Sequence, residues 1–395
     1  MSKLTFQTVL DAVSGHDCAF RTRYRLQPAD GPGGKVFPPT HLDGKYAVEH
    51  RVLPDAPEPV ECVLLDSVQS HANRCEEALQ LAVDRGRITL PLVRVDFSGA
   101  DLIDPVDEIT SLTAPHRVSD AILRDSELDG VAFRSSELGR RLDYASLKNA
   151  TPLFDLSPHT LLFGLWDSTG PRGGLGVKFQ RCLVGEIVGC DVKIGKKTSS
   201  RIDPLQIVKN AKVVVDDDGW EPMDLDAKKE PKNAKRPSEI NHGNIPPDIT
   251  DGGVTMAYAQ YSATLSLPAI RRLRFPVDGE SSPERDDAGR AVIAALGLLS
   301  LTLAGEAGFD LRSRCLLWPN EAMAFELLGK PGSSPKSFGA EGDAAVAVFQ
   351  EAIDNAKKYG LPWREEPIVL RPADKLVTLL RNSQALLAQT SEAAE

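Results

Sequence analysis

Residues 18–27 alternate strictly. Phe20, Thr22, Tyr24 and Leu26 fall on one side and Arg21, Arg23 and Arg25 on the other. A period of two predicts a half-buried strand. Its arginine face reads either as an ordinary solvated face or as a strand turned towards phosphates. Residues 28–60 break the pattern with Pro and Gly clusters (PADGPGG, FPP, LPDAPEP) and read as loop. After a short apolar run at 60–65 the period lengthens. Val68, Ala72, Cys75, Leu79 and Ala82 form one stripe at helical spacing, predicting a helix to about Asp84, with Asp66 as N-cap and Gln69 as its capping-box partner. Ser67, Ser70 and Arg74 share another face, and Gln69 and Asn73 stack one turn apart. A helix opening on so many small donors is suited to a phosphate backbone.

Further on, 90–97 reads as a strand and 99–113 as an acidic loop carrying Asp101, Asp104, Asp107 and Glu108. Residues 115–128 read as a helix with His116, Arg117 and Arg124 near one side, the two arginines seven apart. A strand at 161–166 leads into a glycine-rich turn, 167–176, followed directly by Lys178 and Arg181. Residues 181–194 return as a strand, and GKKTSSRIDP (195–204) reads as a loop dense in donors. The polar stretch 216–251 is expected to be a mobile insertion or extended arm. A long strand at 254–267 changes phase near Ala259 and Gln260, which predicts a bulge. Helix 287–305, strand 312–317 and helices 344–359 and 372–388 complete the chain. Taken in order, the strands and two core helices give strand, helix, strand, strand, helix, strand. That is an α+β, RRM or ferredoxin-like core with large insertions. The expected division is a main domain over 1–320 and a helical extension over 321–395.

Composition narrows the class without changing this picture. Hydrophobic residues are 42% and charged residues 26% of 395, enough for a sizeable core without staples. The six cysteines (18, 62, 75, 182, 190, 315) form no CxxC pair, and no His lies at zinc-site spacing, so they read as buried thiols of a reducing cytoplasm. No basic region followed by an apolar core opens the chain, so no signal peptide is expected. The uncharged run 291–305 falls short of the about 20 residues of a membrane span and reads as a core helix.

Enzymatic motifs are broken or missing. Gly170, Gly173 and Gly176 lack dinucleotide spacing, and Gly189 to Lys196 is a defective P-loop with Lys197 where Ser or Thr belongs. There is no GxSxG elbow and no HExxH. His116 beside Arg117 reads as a structural or RNA-contact residue more readily than as a general base. Asp101, Asp104 and Asp107 keep a metal-dependent nuclease open only if they converge. Charge is more informative. The chain carries −10 in all, yet residues 112–212 hold fifteen basic against eleven acidic residues. This asymmetry fits a nucleic-acid track on an acidic body, with an ordinary mixed surface as the plain alternative.

Four blocks carry a resemblance: LLDSVQSHANRCEEAL (64–79), APHRVSDAILRDSELDGVAF (114–133), TPLFDLSPHTLLFGLWDSTGPRGGLGVKFQR (151–181) and GKKTSSRIDPL (195–205). Together they resemble the type I-G (formerly I-U) CRISPR-associated Csb-type RAMP proteins, the backbone subunits of Cascade, over about residues 1–320. The resemblance implies an RRM-based hand with a β-hairpin thumb. Its copies polymerise along CRISPR RNA beside other Cascade subunits and present the guide to target DNA in antiviral defence. It implies no catalysis, no cofactor, no metal and no membrane. Matching the blocks residue by residue, it assigns RNA contacts to Ser67, Gln69, Ser70, Asn73, Arg74, His116, Arg117, Arg124, Lys178, Arg181, Lys196, Lys197, Thr198, Ser199 and Arg201. Two other readings stay open: an RNA-cleaving RAMP enzyme using an Asp in 101–108, and a scaffold whose basic track binds acidic subunits.

Overall fold

The computed structural model describes residues 2–392 except 55, 171–175, 217, 218, 225–229, 307 and 340, with the side chains of 389–392 left aside. The chain runs through helix α1 (Phe6–Ser14), strands β1 (Ala19–Pro28), β2 (Val48–Arg51) and β3 (Val60–Asp66), and helix α2 (Val68–Asp84). After a long excursion it returns through strands β4 (Leu183–Arg201) and β5 (Ile245–Ser266) and helix α3 (Pro283–Glu306). The hairpin β6 (Phe309–Arg312) and β7 (Cys315–Pro319) follows, then β8 (Ala324–Leu328), β9 (Lys336–Gly339) and helix α4 (Gly342–Lys358). Strand β10 (Ile368–Pro372) and helix α5 (Asp374–Glu392) close the described chain.

The central sheet realises the strand order that the sequence pattern predicts. β5 lies between β1 and β4, all antiparallel, and the far edge of β1 takes β7 and β8. Numbered by their place in the β-α-β-β-α-β unit, the strands run four-one-three-two, the arrangement of the split βαβ fold. The alternation of β1 is the cause: Phe20, Thr22, Tyr24 and Leu26 are all buried under the helices. Tyr24, Tyr261 and Phe309 meet there with ring centroids 4.9–6.4 Å apart. α2 and α3 cover this one face. His71 of α2 sits so close over β4 that a Cβ at Gly185 would lie 2.5 Å from its ring, so only glycine fits. α3 is apolar all round because it is enclosed all round, with 94% of its apolar window buried.

Several expectations are corrected. Residues 161–166 are not one strand: His159–Phe163 is a helical turn with every residue buried, and only Leu165–Trp166 is extended. An unbroken apolar run fits either state, and burial on all sides decides for helix. The supposed helix 115–128 is a 3-10 turn, Arg117–Ser119, and a single turn, Ala121–Arg124. The boundary at 320 is not structural. β8 pairs with β1, α4 packs on α3, and β10 inserts in parallel beside Val93–Asp96 in the excursion's own five-stranded sheet. The phase change in β5 falls slightly earlier than expected. Met256 and Ala259 are both buried, and opposite the residues between them Asp191 takes φ 51°.

The largest correction concerns 195–251. Residues 195–201 are not a loop but the outer part of β4, paired with the outer part of β5 as far as Arg201 and Ile245. Apart from the half-buried Arg201, the side chains of 196–201 and 245–251 are exposed on both faces. This ribbon therefore projects from the body as an arm. A small sheet of Val213–Asp216, Gly219–Pro222 and Ala234–Lys235 lies within the segment that joins the two arm strands. At the base, Gly252 and Gly253 on β5 oppose Gly195 alone, an irregularity where the ribbon leaves the sheet. Lys35 donates to the Lys196 carbonyl (2.7 Å), and the Gly253 N–H donates to the Tyr46 hydroxyl (2.8 Å), so the Pro- and Gly-rich loop braces the base.

Candidate nucleic-acid interface

The first block forms the start of α2. Ser67, not Asp66, is the N-cap: its hydroxyl accepts from the Ser70 N–H at 3.2 Å. Gln69 and Asn73 are exposed and Ser70 half-buried, so these polar groups flank the helix N-terminus. Arg74 is engaged in the fold. It donates to Asp66 (3.2 Å) and to the carbonyls of Asp310 (3.1 Å) and Leu311 (2.7 Å), tying α2 to β6. Asp66 is buried. Burial raises its carboxyl above the ordinary range against the opposing pull of the Ser70 hydroxyl and Arg74.

One turn further along α2, the second and third blocks converge. Arg117 is buried and forms a bidentate pair with Glu76 (2.6 and 2.8 Å), and it also donates to the Gly164 carbonyl at 3.2 Å. Arg181 donates to the neighbouring Phe163 carbonyl at 3.2 Å. Burial pushes the Glu76 carboxyl up, opposed by Arg117 and Arg181; burial and then Arg117 push the Arg181 guanidinium down. Next in the chain stands Trp166, 58% exposed, with the Lys178 ammonium 5.1 Å from its ring centroid. His116 is exposed, and its backbone N–H donates to Asp120. Residues 171–175 of the glycine-rich turn, including Gly173, lie outside the described residues.

Arg124 does not share a face with Arg117. It pairs with Asp125 at 2.7 Å, and Asp125 also takes Lys375 of α5. The fourth block lies on the arm. Lys197, Thr198 and Ser199 are exposed, Lys196 is exposed and paired with Asp251, and Arg201 is half-buried. Beyond them Asp203 accepts from the N–H groups of Leu205, Ile207 and Gly243 (2.8–3.2 Å). Burial raises its carboxyl, but those three backbone donors outweigh it and hold it below the ordinary range. Asp203 is thus a structural anchor of the segment beyond the arm.

The positive stretch 112–212 is not one continuous track. Arg117, Arg124, Arg134 and Arg141 are all held by carboxylates of the fold, Arg134 by both Asp143 and Asp167. The acids of 101–108 do not converge either. Asp101 pairs with Arg381, Glu108 pairs with Arg94, and Asp104 is tied through its backbone to Gln384. Among the described residues no group of three His, Cys, Asp or Glu is placed to hold a metal ion. Sequence reasoning missed Glu76, whose partner lies 41 positions away, and Trp166, whose place at the end of an apolar run resembled one more core residue.

What the fold and these clusters define is an RRM-like α+β protein. It carries a projecting β-arm and polar, partly cationic patches suited to a nucleic-acid backbone. Residues 20–194 match the family model described as CRISPR-associated protein GSU0053. The matched segment runs from β1 into β4 and includes the α2 start and the Arg117 and Arg181 cluster, but stops short of Lys196. No curated protein matches the chain. The family match supports a CRISPR-associated protein, with a role in CRISPR defence alongside other components of that system.

Proposed function

We propose that this chain is the RNA-binding backbone subunit of a type I CRISPR effector, a Csb-type RAMP protein of the type I-G Cascade. Copies line up along the CRISPR RNA in the cytoplasm, beside other Cascade subunits, and leave the guide free to pair with target DNA. In such complexes base pairing reads sequence while protein holds the backbone. The observation that carries the reading is the combination of a four-one-three-two sheet with a long exposed arm grown from the neighbouring strands β4 and β5. The polar start of α2 and Lys178 beside the exposed Trp166 supply donors, a cation and a stacking ring; Lys197, Thr198 and Ser199 do the same for phosphates along the arm. Backbone contacts of this kind position a strand without reading it. Of the acids of 101–108, Asp101 pairs with Arg381 and Glu108 with Arg94, which favours the non-catalytic reading over the nuclease alternative.

The test is to express the chain with a CRISPR array and its partner subunits, purify it and sequence the nucleic acid extracted. Recovery of a discrete CRISPR RNA in a large assembly supports the reading. A nucleic-acid-free monomer, with the partners present, overturns it.

A further inference from the structure

The face of the sheet turned away from α2 and α3 carries a small apolar cluster of its own. Cys62, Val188 and Cys190 are buried there against Leu53, Val60, Leu64 and Tyr258, apart from the main core. The register sets Cys190 of β4 directly opposite Cys62 of β3, and both are free thiols. Directly opposed residues of antiparallel strands stand about 4.5–5.5 Å apart at Cα. That lies inside the about 4.4–6.8 Å that disulfides span. The other buried cysteines, Cys75, Cys182 and Cys315, belong to the main core.

The cover over this pair is slight. β2 is the edge strand of the sheet, next to β3, and its Val48, Glu49 and His50 are exposed. Arg51, opposite Val60 in the register, reaches across to Glu186 of β4 at 2.7 Å and latches the edge over the cluster. A satellite cluster beneath an edge strand opens at lower cost than the main core. While the latch is closed the pair is inert. Burial, and next the neighbouring Cys62 thiol, push the Cys190 thiol up to about 11, so at neutral pH it keeps its proton. Reaction is confined to the moments when the edge opens. The position of the pair matters for the arm. Asp191, with φ 51°, follows Cys190 directly, and β4 leaves the sheet beyond it at Gly195.

We infer that Cys62 and Cys190 are a reversible redox pair, which a small-molecule disulfide oxidant converts to a cross-strand disulfide that pins β3 to β4 below the root of the arm. The chemistry is thiol–disulfide exchange. One cysteine loses its proton and attacks the oxidant RSSR, forming a mixed disulfide and releasing RS⁻, which takes up that proton as RSH. The second cysteine then attacks the mixed disulfide at the sulfur of the first, closing the Cys62–Cys190 bond and releasing the second RSH in the same way. The chain gives up two protons and two electrons, and the oxidant is reduced to two thiols. An excess of RSH runs the sequence backwards. The device is independent of the proposed RNA-binding role, because it acts on the sheet that carries the arm and not on a ligand.

The experiment uses the full chain with the exposed Cys18 replaced, Cys18→Ser, so that no surface thiol competes. The folded protein is incubated with glutathione disulfide, then denatured, and the remaining thiols are alkylated with iodoacetamide and mapped by peptide mass spectrometry. The expected result is a peptide pair joined through Cys62 and Cys190, with Cys75, Cys182 and Cys315 alkylated throughout. Dithiothreitol should abolish the link. Glu186→Gln, which removes one end of the latch, is expected to speed its formation several-fold. Oxidation is also expected to raise the thermal midpoint by a few degrees, because a link between distant positions restricts the unfolded chain. Adding Cys190→Ala should remove that rise. Recovery of both Cys62 and Cys190 alkylated after oxidation overturns the inference. So does a link that appears only together with loss of the three core thiols, since global unfolding would then account for it. A link that leaves the midpoint unchanged overturns the pinning of β3 to β4. The linked peptide is read on a chain whose core cysteines are all intact, so the result does not depend on a core variant folding.

Discussion

At the scale of single residues, most of the charge that looked available for a ligand builds the fold. Arg117 illustrates why this is hidden in the sequence. Its neighbours and spacing are those of a solvated arginine, and only the tertiary approach of Glu76 removes it from solvent. Breaking a buried pair by deleting one partner leaves the other charge stranded, which costs about 3–5 kcal/mol. Glu76→Ala is therefore expected to lower stability by that amount in urea unfolding, and Glu76→Leu with Arg117→Met by much less. An RNA-contacting Arg117 would instead lose affinity without losing stability. The buried histidines make a second prediction. Burial depresses His71 to about 4 and His159 to about 3, and each stays neutral when folded. The unfolded chain binds their protons at about pH 6.5. Stability is thus fully present above that pH and is lost as pH falls from 6.5 towards 4, by about 3 kcal/mol for His71. His71→Gln, which retains a hydrogen-bonding group opposite the Tyr261 hydroxyl (3.0 Å), is expected to flatten the stability profile between pH 4 and 6.5. A profile as steep as that of the wild type would rule out His71 as its source.

At the scale of elements, amphipathic segments were legible and doubly buried or doubly exposed ones were not. The stripe on α2 and the alternation on β1 state their period plainly because one side meets the core and the other meets water. The run at 159–163 is buried on every side, so it carries no period to read. The arm is the converse. Its residues are exposed on both faces, and GKKTSSR looks like a loop although every pairing from Lys196 to Arg201 runs within a ribbon. For the candidate site this has a direct consequence: the donors of the fourth block stand on a paired ribbon where the sequence suggests a loop. An element that buries little should open easily. Amides of 196–201, 245 and 248–251 are accordingly expected to exchange with deuterium much faster than those of 183–190 and 258–265 of the same two strands. Replacing 196–250 by a short Gly-Ser turn should leave the thermal midpoint of the core nearly unchanged while abolishing guide retention. A large fall in that midpoint would show that the arm packs on the body, contrary to its exposure.

At the scale of the whole molecule, the split βαβ order was legible because it depends only on the sequence of element types. The closure of the chain on itself was not. Nothing in residues 368–372 announces that they pair with a strand more than two hundred and seventy positions earlier, yet β10 lies at the middle of the excursion's five-stranded sheet. Ile368 and Leu370 are buried there beside Val93 and Val95, and Arg371 holds Asp96 at 2.8 Å. The apparent C-terminal extension is therefore the central strand of a layer that also presents His116 and Arg117. Burial of two such aliphatic side chains contributes about 3–6 kcal/mol, and the sheet loses its middle when they go. Truncation after Tyr359 is thus expected to open the segment 93–135 to limited proteolysis while the β1, β5 and β4 core stays resistant. The Arg117–Glu76 pair should loosen with it, so RNA affinity should fall although no assigned RNA contact has been removed. If the truncated chain resists protease throughout 93–135, then β10 is dispensable to that layer. The C-terminus would then be the separate extension that the sequence alone suggests.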